Sequence, residues 1–182
     1  MMLEQIYNEP ADISIRTNMD KFWEGWQELS VNPESQAARQ AVVTRGKTLT
    51  ESINQRWESL EGIGNLLNGD IEATVKQVND LTRQIANLNG EIVRSRAMGD
   101  NPNDLLDRRD LLVDKLSELV NVTTDQRDSD EFMVHVDGKV IVQGNIARKI
   151  DLAPRFDDTG YSKVVWADTQ EDAYFSGGKL GA

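Results

Sequence analysis

Apolar residues recur along the first two thirds of the chain at three- and four-residue spacing, and this pattern predicts helices. Ile15, Met19, Phe22, Trp23, Trp26 and Leu29 outline an amphipathic helix over about residues 14–30, ended by Asn32-Pro33. A longer stripe runs through Leu49, Ile53, Trp57, Leu60, Ile63, Leu67, Ile71, Val75, Val78, Leu81, Ile85, Leu88 and Ile92. Its mean step is about 3.6 residues, the turn of a nearly straight helix and not the 3.5 repeat of a left-handed coiled coil. Ser35 is placed to cap this helix, which is expected over about residues 33–98. Gly62, Gly64 and Gly69 each cost roughly 1 kcal/mol relative to alanine inside a helix. The stripe nevertheless keeps phase across them, which favours a continuous helix with a bend or soft spot over a break.

Residues 99–102 read as a turn, after which Asn103 or Asp104 can cap a third helix carrying Leu105, Leu106, Leu112, Val113, Leu116, Leu119 and Val120. So short a link predicts a helical hairpin, with this helix folded back on the stripe at residues 78–92. Beyond Val120 the period changes to two: Phe132, Val134 and Val136 alternate with Met133 and His135, and Asp137-Gly138 precedes Lys139, Val140, Ile141 and Val142. Asp-Gly suits the paired positive φ angles of a two-residue hairpin turn. Further strands are expected at residues 147–152 and 161–166, with loops at 157–160 and 176–178. The fold class is α+β: a helical rod or antiparallel bundle over residues 1–120, then a small antiparallel β region over 121–182.

Composition narrows the partners. Leu, Ile, Val and Phe make up about 25% of the 182 residues, enough for a core. The formal net charge of −11 disfavours nucleic acid and anionic membranes. Without cysteine there is no disulfide, thiolate nucleophile or sulfur-ligated zinc. Apolar runs are far shorter than the ~20 residues of a membrane span, and MMLEQIYNEP lacks a signal-peptide core.

Candidate chemistry is sparse. Asp104, Asp107, Asp110 and Asp114 share helical spacing and could hold a divalent metal, which keeps a metal-dependent enzyme as the alternative. Arg108 and Arg109 interleave with them, so a capped, salt-bridged helix face is the favoured reading. His135, the lone histidine, reads as an exposed or edge-facing strand residue with no paired nucleophile. Asp125, Asp128, Asp130 and Glu131 lack the order and central glycine of a calcium loop and read as a solvated turn. No phosphate-loop, dinucleotide, zincin or nucleophile-elbow motif is present. No catalytic, cofactor or metal residue is assigned. Phe22, Trp23 and Trp26 offer core filling or a partner anchor. Core is the default, but so few helices cannot cover all their own apolar stripes, and the three are retained as a candidate interface.

Several ordered segments together resemble the flagellar hook-associated protein 1 family, which forms the junction between bacterial hook and filament. Pro102, Asn103, Asp104, Leu105, Leu106, Asp107, Arg108, Arg109, Asp110 and Leu111 match the first ten positions of a PNDLLDxRDxL pattern, departing from its common form only at Arg108, where glutamine is common. Asn8-Glu9-Pro10, Asn32-Pro33 with Ala37-Ala38-Arg39-Gln40-Ala41-Val42, Gln84-Ile85-Ala86-Asn87-Leu88-Asn89, Val142-Gln143-Gly144 and Gly177-Gly178-Lys179-Leu180-Gly181 support it.

The resemblance implies a non-enzymatic adaptor, exported by the flagellar type III apparatus to a flagellum that is extracellular or enclosed in a periplasm. Implied partners are hook protein, other hook-associated proteins, the export machinery and further copies in a ring. It also implies a middle fragment, lacking both polymerising termini and the returning helix of the rod. Within it Asn103, Asp104, Leu105, Leu106, Asp107, Arg109 and Asp110 form a structural signature, with Asp107, Arg109 and Asp110 pairing where the rod meets the β region. Another helical axial subunit, flagellin-like, is a further alternative.

Overall fold

The computed structural model describes residues 15–128, 131–155 and 160–181, with the side chains of residues 127 and 128 left aside. The expected helix start at residue 14, Asn8-Glu9-Pro10, Asp130 and loop positions 157–159 lie outside the described residues. Three helices lead: α1 (Ile15–Val31), α2 (Gln36–Ala97) and α3 (Asn103–Leu119). Six strands follow: β1 (Val122–Asp128), β2 (Glu131–Val136), β3 (Lys139–Gln143), β4 (Ile146–Ala147), β5 (Ile150–Pro154) and β6 (Ser162–Trp166). The fold is α+β, as the periodicities predict.

Helix α2 is 62 residues long and continuous through Gly62, Gly64 and Gly69. Ser35 caps it, its hydroxyl accepting from the Ala38 amide at 3.2 Å. Arg39 adds two bonds to the Pro33 carbonyl, at 3.0 and 2.7 Å. Packing divides the chain into two compact units, one up to Asn65 and one from Leu66 onward.

In the first unit α1 lies against the start of α2 through two glycines. A Cβ on Gly25 would stand 3.2 Å from the Arg45 side chain, and one on Gly46 would stand 3.3 Å from the Phe22 ring. Ala38 and Val42 are buried here with Asn18, and Arg45 donates to the Lys21 carbonyl at 2.9 Å.

In the second unit α3 and the strands share one core. Val75, Val78, Ile85 and Ala86 of α2 pack with Leu116 and Val120 and with Val134, Val136, Ile141, Val142, Ile150 and Trp166 from the strands. The change of element type falls after residue 120, yet no packing boundary falls there: helices and strands on either side bury the same apolar cluster.

The larger sheet is antiparallel in the order β1-β2-β3-β4, and β5 pairs with β6 in a second ladder. Asp137 (φ 48°) and Gly138 (φ 80°) form the tight turn from Val136 to Lys139 that the dipeptide predicts. Three expectations are corrected. The acidic segment read as a solvated turn contains a strand, β1, whose Asp125 pairs in register with Met133. The strand expected over 147–152 is two strands parted at Arg148-Lys149, where the Arg148 amide donates to the Ile141 carbonyl at 2.8 Å. His135 is half-buried on β2, an interior strand, between Thr123 of β1 and Val140 of β3.

The last described residues return to the end of α3. Lys179 and Leu180 donate amide bonds to the Glu118 and Leu119 carbonyls, at 3.2 and 3.0 Å, satisfying groups that a helix end leaves open. Gly178 (φ +71°) allows this approach, because a Cβ there would lie 2.5 Å from the Leu119 and Val120 backbone.

Candidate functional site

The signature segment opens α3. Pro102 is buried and occupies the N-cap position, with no side-chain cap; its carbonyl accepts from the Leu105 and Leu106 amides, both at 3.1 Å. The expected capping by Asn103 or Asp104 is therefore absent. Asp104 lies exposed in the first turn, where a negative charge favours the helix dipole. Leu105 and Leu106 are half-buried, while Asp107 and Asp110 are exposed.

Arg109 is the buried member, only 6% exposed. Its guanidinium stacks over the Phe132 ring of β2 at 3.7 Å from the centroid and meets the Asp110 carboxylate at 3.4 Å. Burial holds its pKa below the ordinary guanidinium value, with Asp110 pulling the other way. The structure thus brings together Arg109, Asp110 and Phe132, at the place where α3 meets the sheet. Asp107 points into solvent, and Arg109 takes an aromatic partner that sequence spacing did not reveal.

The four aspartates Asp104, Asp107, Asp110 and Asp114 are all exposed, and among the described residues no three histidine, aspartate or glutamate groups stand close enough to hold a metal ion.

The aromatic triplet divides. Phe22 is half-buried against Gly46, whereas Trp23 is 58% and Trp26 47% exposed. The Phe22 ring meets Trp23 at 5.8 Å, tilted, and Trp26 at 6.2 Å, edge-on. Among the described residues the two indoles do not fill a core. Ile53, Trp57 and Leu60 of the long stripe are exposed as well, Trp57 to 71%. The same stripe is buried at Val75, Val78, Ile85, Leu88 and Ile92.

A set of residues missed by sequence reasoning seats the strands on α2. The Asn79 amide donates to the Ile150 carbonyl at 2.8 Å and accepts from the Ile150 amide at 3.0 Å. Asn89 donates to the Gly144 carbonyl at 2.8 Å, and Asn68 accepts from the Ser162 amide at 2.9 Å. Their spacings of about three helical turns place all three on one face, the one signal available in advance.

Two polar clusters fasten the strands to each other. Arg148 makes a two-pronged bond to Asp168, at 2.7 and 2.8 Å, and stacks on Trp166 at 4.3 Å. Ser176 donates through both amide and hydroxyl to Asp137 and accepts from Asn121 at 3.1 Å. Hydrogen bonding from Ser176 holds the Asp137 carboxyl below the usual carboxylate range, and Arg148 does the same for Asp168. These groups are spent on backbone turns and strand ends. None forms a cleft with convergent reactive groups.

Comparison with known proteins agrees with this arrangement. The family model described as "Flagellar hook-associated protein FlgK helical domain" matches residues 1–182. Flagellar hook-associated protein 1 of Bacillus subtilis is 37% identical over 120 residues, 66% of this chain and 24% of that protein. The Escherichia coli protein of the same name is 33% identical over 158 residues, 85% of this chain and 29% of that protein. The flagellar hook junction protein FlgK from Burkholderia pseudomallei superposes with a TM-score of 0.87 at 26% identity, covering 99% of this chain and 34% of that one. The chain therefore spans about a quarter to a third of the length of these relatives. A family match over all its residues and an α+β fold in common lead to one assignment: the chain belongs to the flagellar hook-associated protein FlgK family, in its helical domain.

Proposed function

We propose that this chain is the helical part of a non-enzymatic adaptor subunit of the bacterial flagellum, placed where hook joins filament. The observation that carries this reading is the long apolar stripe of α2, exposed at Ile53, Trp57 and Leu60 and buried at Val75, Val78, Ile85, Leu88 and Ile92. An exposed helical stripe of large side chains suits contact with other polypeptide and offers no enclosed site for a small molecule. The relatives' names, hook-associated and hook junction protein, supply the place.

In this reading residues 1–120 serve as a partial rod and residues 121–182 begin the inserted outer domain. The returning helix of the rod, implied by the family resemblance, covers stripe residues 49–67. Phe22, Trp23 and Trp26 belong to a contact surface, and Asn103 to Asp110 form the structural signature that fixes α3 against the sheet. Hook protein and other hook-associated proteins are the neighbours, and copies associate in a ring through terminal segments. The subunit reaches its place outside the cytoplasm through the flagellar export machinery.

Deletion of the parent gene tests this, with electron microscopy of the cells and assay of flagellin in the surrounding fluid or periplasm. Hooks without filaments, with flagellin made but unattached, are expected. Normal filaments would refute the junction role.

A further inference from the structure

Three places in the chain set an asparagine or aspartate before a glycine: Asn68-Gly69, Asn89-Gly90 and Asp137-Gly138. Such pairs are chemically labile, because glycine has no side chain to keep its amide nitrogen away from the preceding side-chain carbonyl carbon. The two asparagine pairs lie inside α2, where each glycine amide is committed to a helical hydrogen bond. Asn68 and Asn89 are also held from outside the helix, by the Ser162 amide and the Gly144 carbonyl. Asp137-Gly138 lies in neither helix nor strand. Both of its residues are exposed, their φ angles are 48° and 80°, and a Cβ on Gly138 would meet nothing within 4 Å.

What restrains Asp137 is its own carboxylate. Oδ2 accepts from the Ser176 amide at 2.9 Å, and Oδ1 accepts from the Ser176 hydroxyl. That hydroxyl accepts from Asn121 at 3.1 Å, which leaves its proton for the carboxylate. Ser176 is itself fixed, since Lys179 and Leu180 tie the same segment to the end of α3. With both oxygens bound, Cγ cannot swing toward the Gly138 nitrogen without giving up both bonds. The same donors, the Ser176 hydroxyl foremost, favour the ionised carboxylate over the neutral acid from which ring closure starts.

We propose that Asp137-Gly138 is a site of aspartate isomerisation and that Ser176 is the positioning residue that holds it unreacted. In the reaction the Gly138 nitrogen attacks Cγ of the neutral Asp137 carboxyl. A C–N bond forms, a C–O bond breaks, and the departing hydroxyl leaves as water with the amide proton. Water then opens the cyclic imide, and opening at the α-carbonyl leaves the main chain running through the β-carboxyl. No electron is transferred and water is the only co-reactant. The product adds a backbone atom to the turn that sets the register of β2 on β3 and removes the acceptor that Ser176 uses. The inference rests on the turn and its clamp and does not depend on the junction reading.

Ageing of the 182-residue chain tests it, at about pH 5, above the ordinary carboxylate range. Peptide mass spectrometry reads the loss of one water at residues 137–138 and isoaspartate at 137. Ser176→Ala removes the hydroxyl bond and should speed the reaction at Asp137 about fivefold, the worth of one hydrogen bond. Ser176→Thr keeps a hydroxyl and should return the rate to within about twofold of the parent. Arg148→Ala weakens the same unit at its bond to Asp168, away from the clamp, and should leave the rate at Asp137 within about twofold of the parent. An equal or slower rate in Ser176→Ala would overturn the proposal, as would failure of threonine to restore protection. Equal acceleration in Arg148→Ala would also overturn it, because the protection would then belong to the fold as a whole.

Discussion

Removing the Asn79 side chain isolates the contact that fastens β5 to α2. The Ile150 residue is fully buried, and both its amide and its carbonyl turn away from β6 to the Asn79 side chain, at 3.0 and 2.8 Å. One side-chain amide thus supplies both bonds that a neighbouring strand would have made. In Asn79→Ala both are lost, and two buried backbone groups are left without partners. A net ~1 kcal/mol per bond, raised by the desolvation of orphaned groups, gives a loss of about 2–4 kcal/mol. For a chain of this size that lowers the melting temperature by roughly 5–15 °C. Asn89→Ala provides an internal scale. Asn89 makes one bond, and its buried Oδ1 already lacks a partner, so its loss should be about 1 kcal/mol. Asn54→Ala, on an exposed part of α2, should stay within about 0.5 kcal/mol. The assay is urea unfolding followed by Trp166, the only tryptophan of the second unit, in a background with Trp23, Trp26 and Trp57 changed to phenylalanine. Trp166 is 2% exposed and reports unfolding of that unit directly. Asn79→Ala within 0.5 kcal/mol of the parent, or no costlier than Asn89→Ala, would refute the clamp.

Three further outcomes are expected. Arg109→Glu sets a carboxylate against the Phe132 ring and beside Asp110, and should destabilise the second unit by about 3 kcal/mol, with Arg109→Lys costing less; an unchanged melting temperature would remove Arg109 from the structural signature. In the chain by itself, amides at residues 33–69 should exchange faster on the whole than those at 71–120, which pack in a common core; equal protection would show that the exposed stripe finds cover within the chain. The Asp137 and Asp168 carboxyls are depressed in the folded state by Ser176 and Arg148, so their contribution is complete above the ordinary value near ~4 and is lost as pH falls through the folded values. Thermal stability should accordingly fall below about pH 4, and Ser176→Ala should flatten that acid limb; an identical acid limb in the variant would remove Asp137 as a contributor.

The helices were legible because each carries a stripe whose phase survives its interruptions. Even the glycines of α2, the strongest local argument for a break, were outweighed by the alignment of Leu60 with Ile71. The hairpin turn at Asp137-Gly138 was legible for a different reason, since few dipeptides tolerate two positive φ angles in succession. β1 was not legible. Val122 is the one apolar residue in VTTDQRD, and the segment is a strand through its register with β2 and not through its own pattern. The cap of α3 was misread because asparagine and aspartate are common capping residues, while here the Pro102 carbonyl takes the first two amides. The asparagine clamps were invisible for a reason of distance: Asn79 and Ile150 are 71 residues apart, and a lone asparagine on a helix resembles any solvated surface residue.

The stripe of α2 separates what periodicity can and cannot decide. Residues 49–67 and 71–92 carry the same kinds of side chain in the same phase, so hydropathy predicts a core face along the full length. Burial follows only where the chain also provides something to cover it: α3 and the strands lie over Val75, Val78 and Ile85, while Trp57 and Leu60 remain in solvent. A mutation that erodes a core loses stability in the isolated chain. One that erodes an uncovered stripe leaves that stability nearly unchanged. Trp57→Ser and Ile85→Ser therefore separate two roles that the periodicity presents as one. Trp57→Ser should leave the melting temperature of this chain within about 1 °C of the parent while Ile85→Ser lowers it by many degrees, and equal losses would refute the distinction.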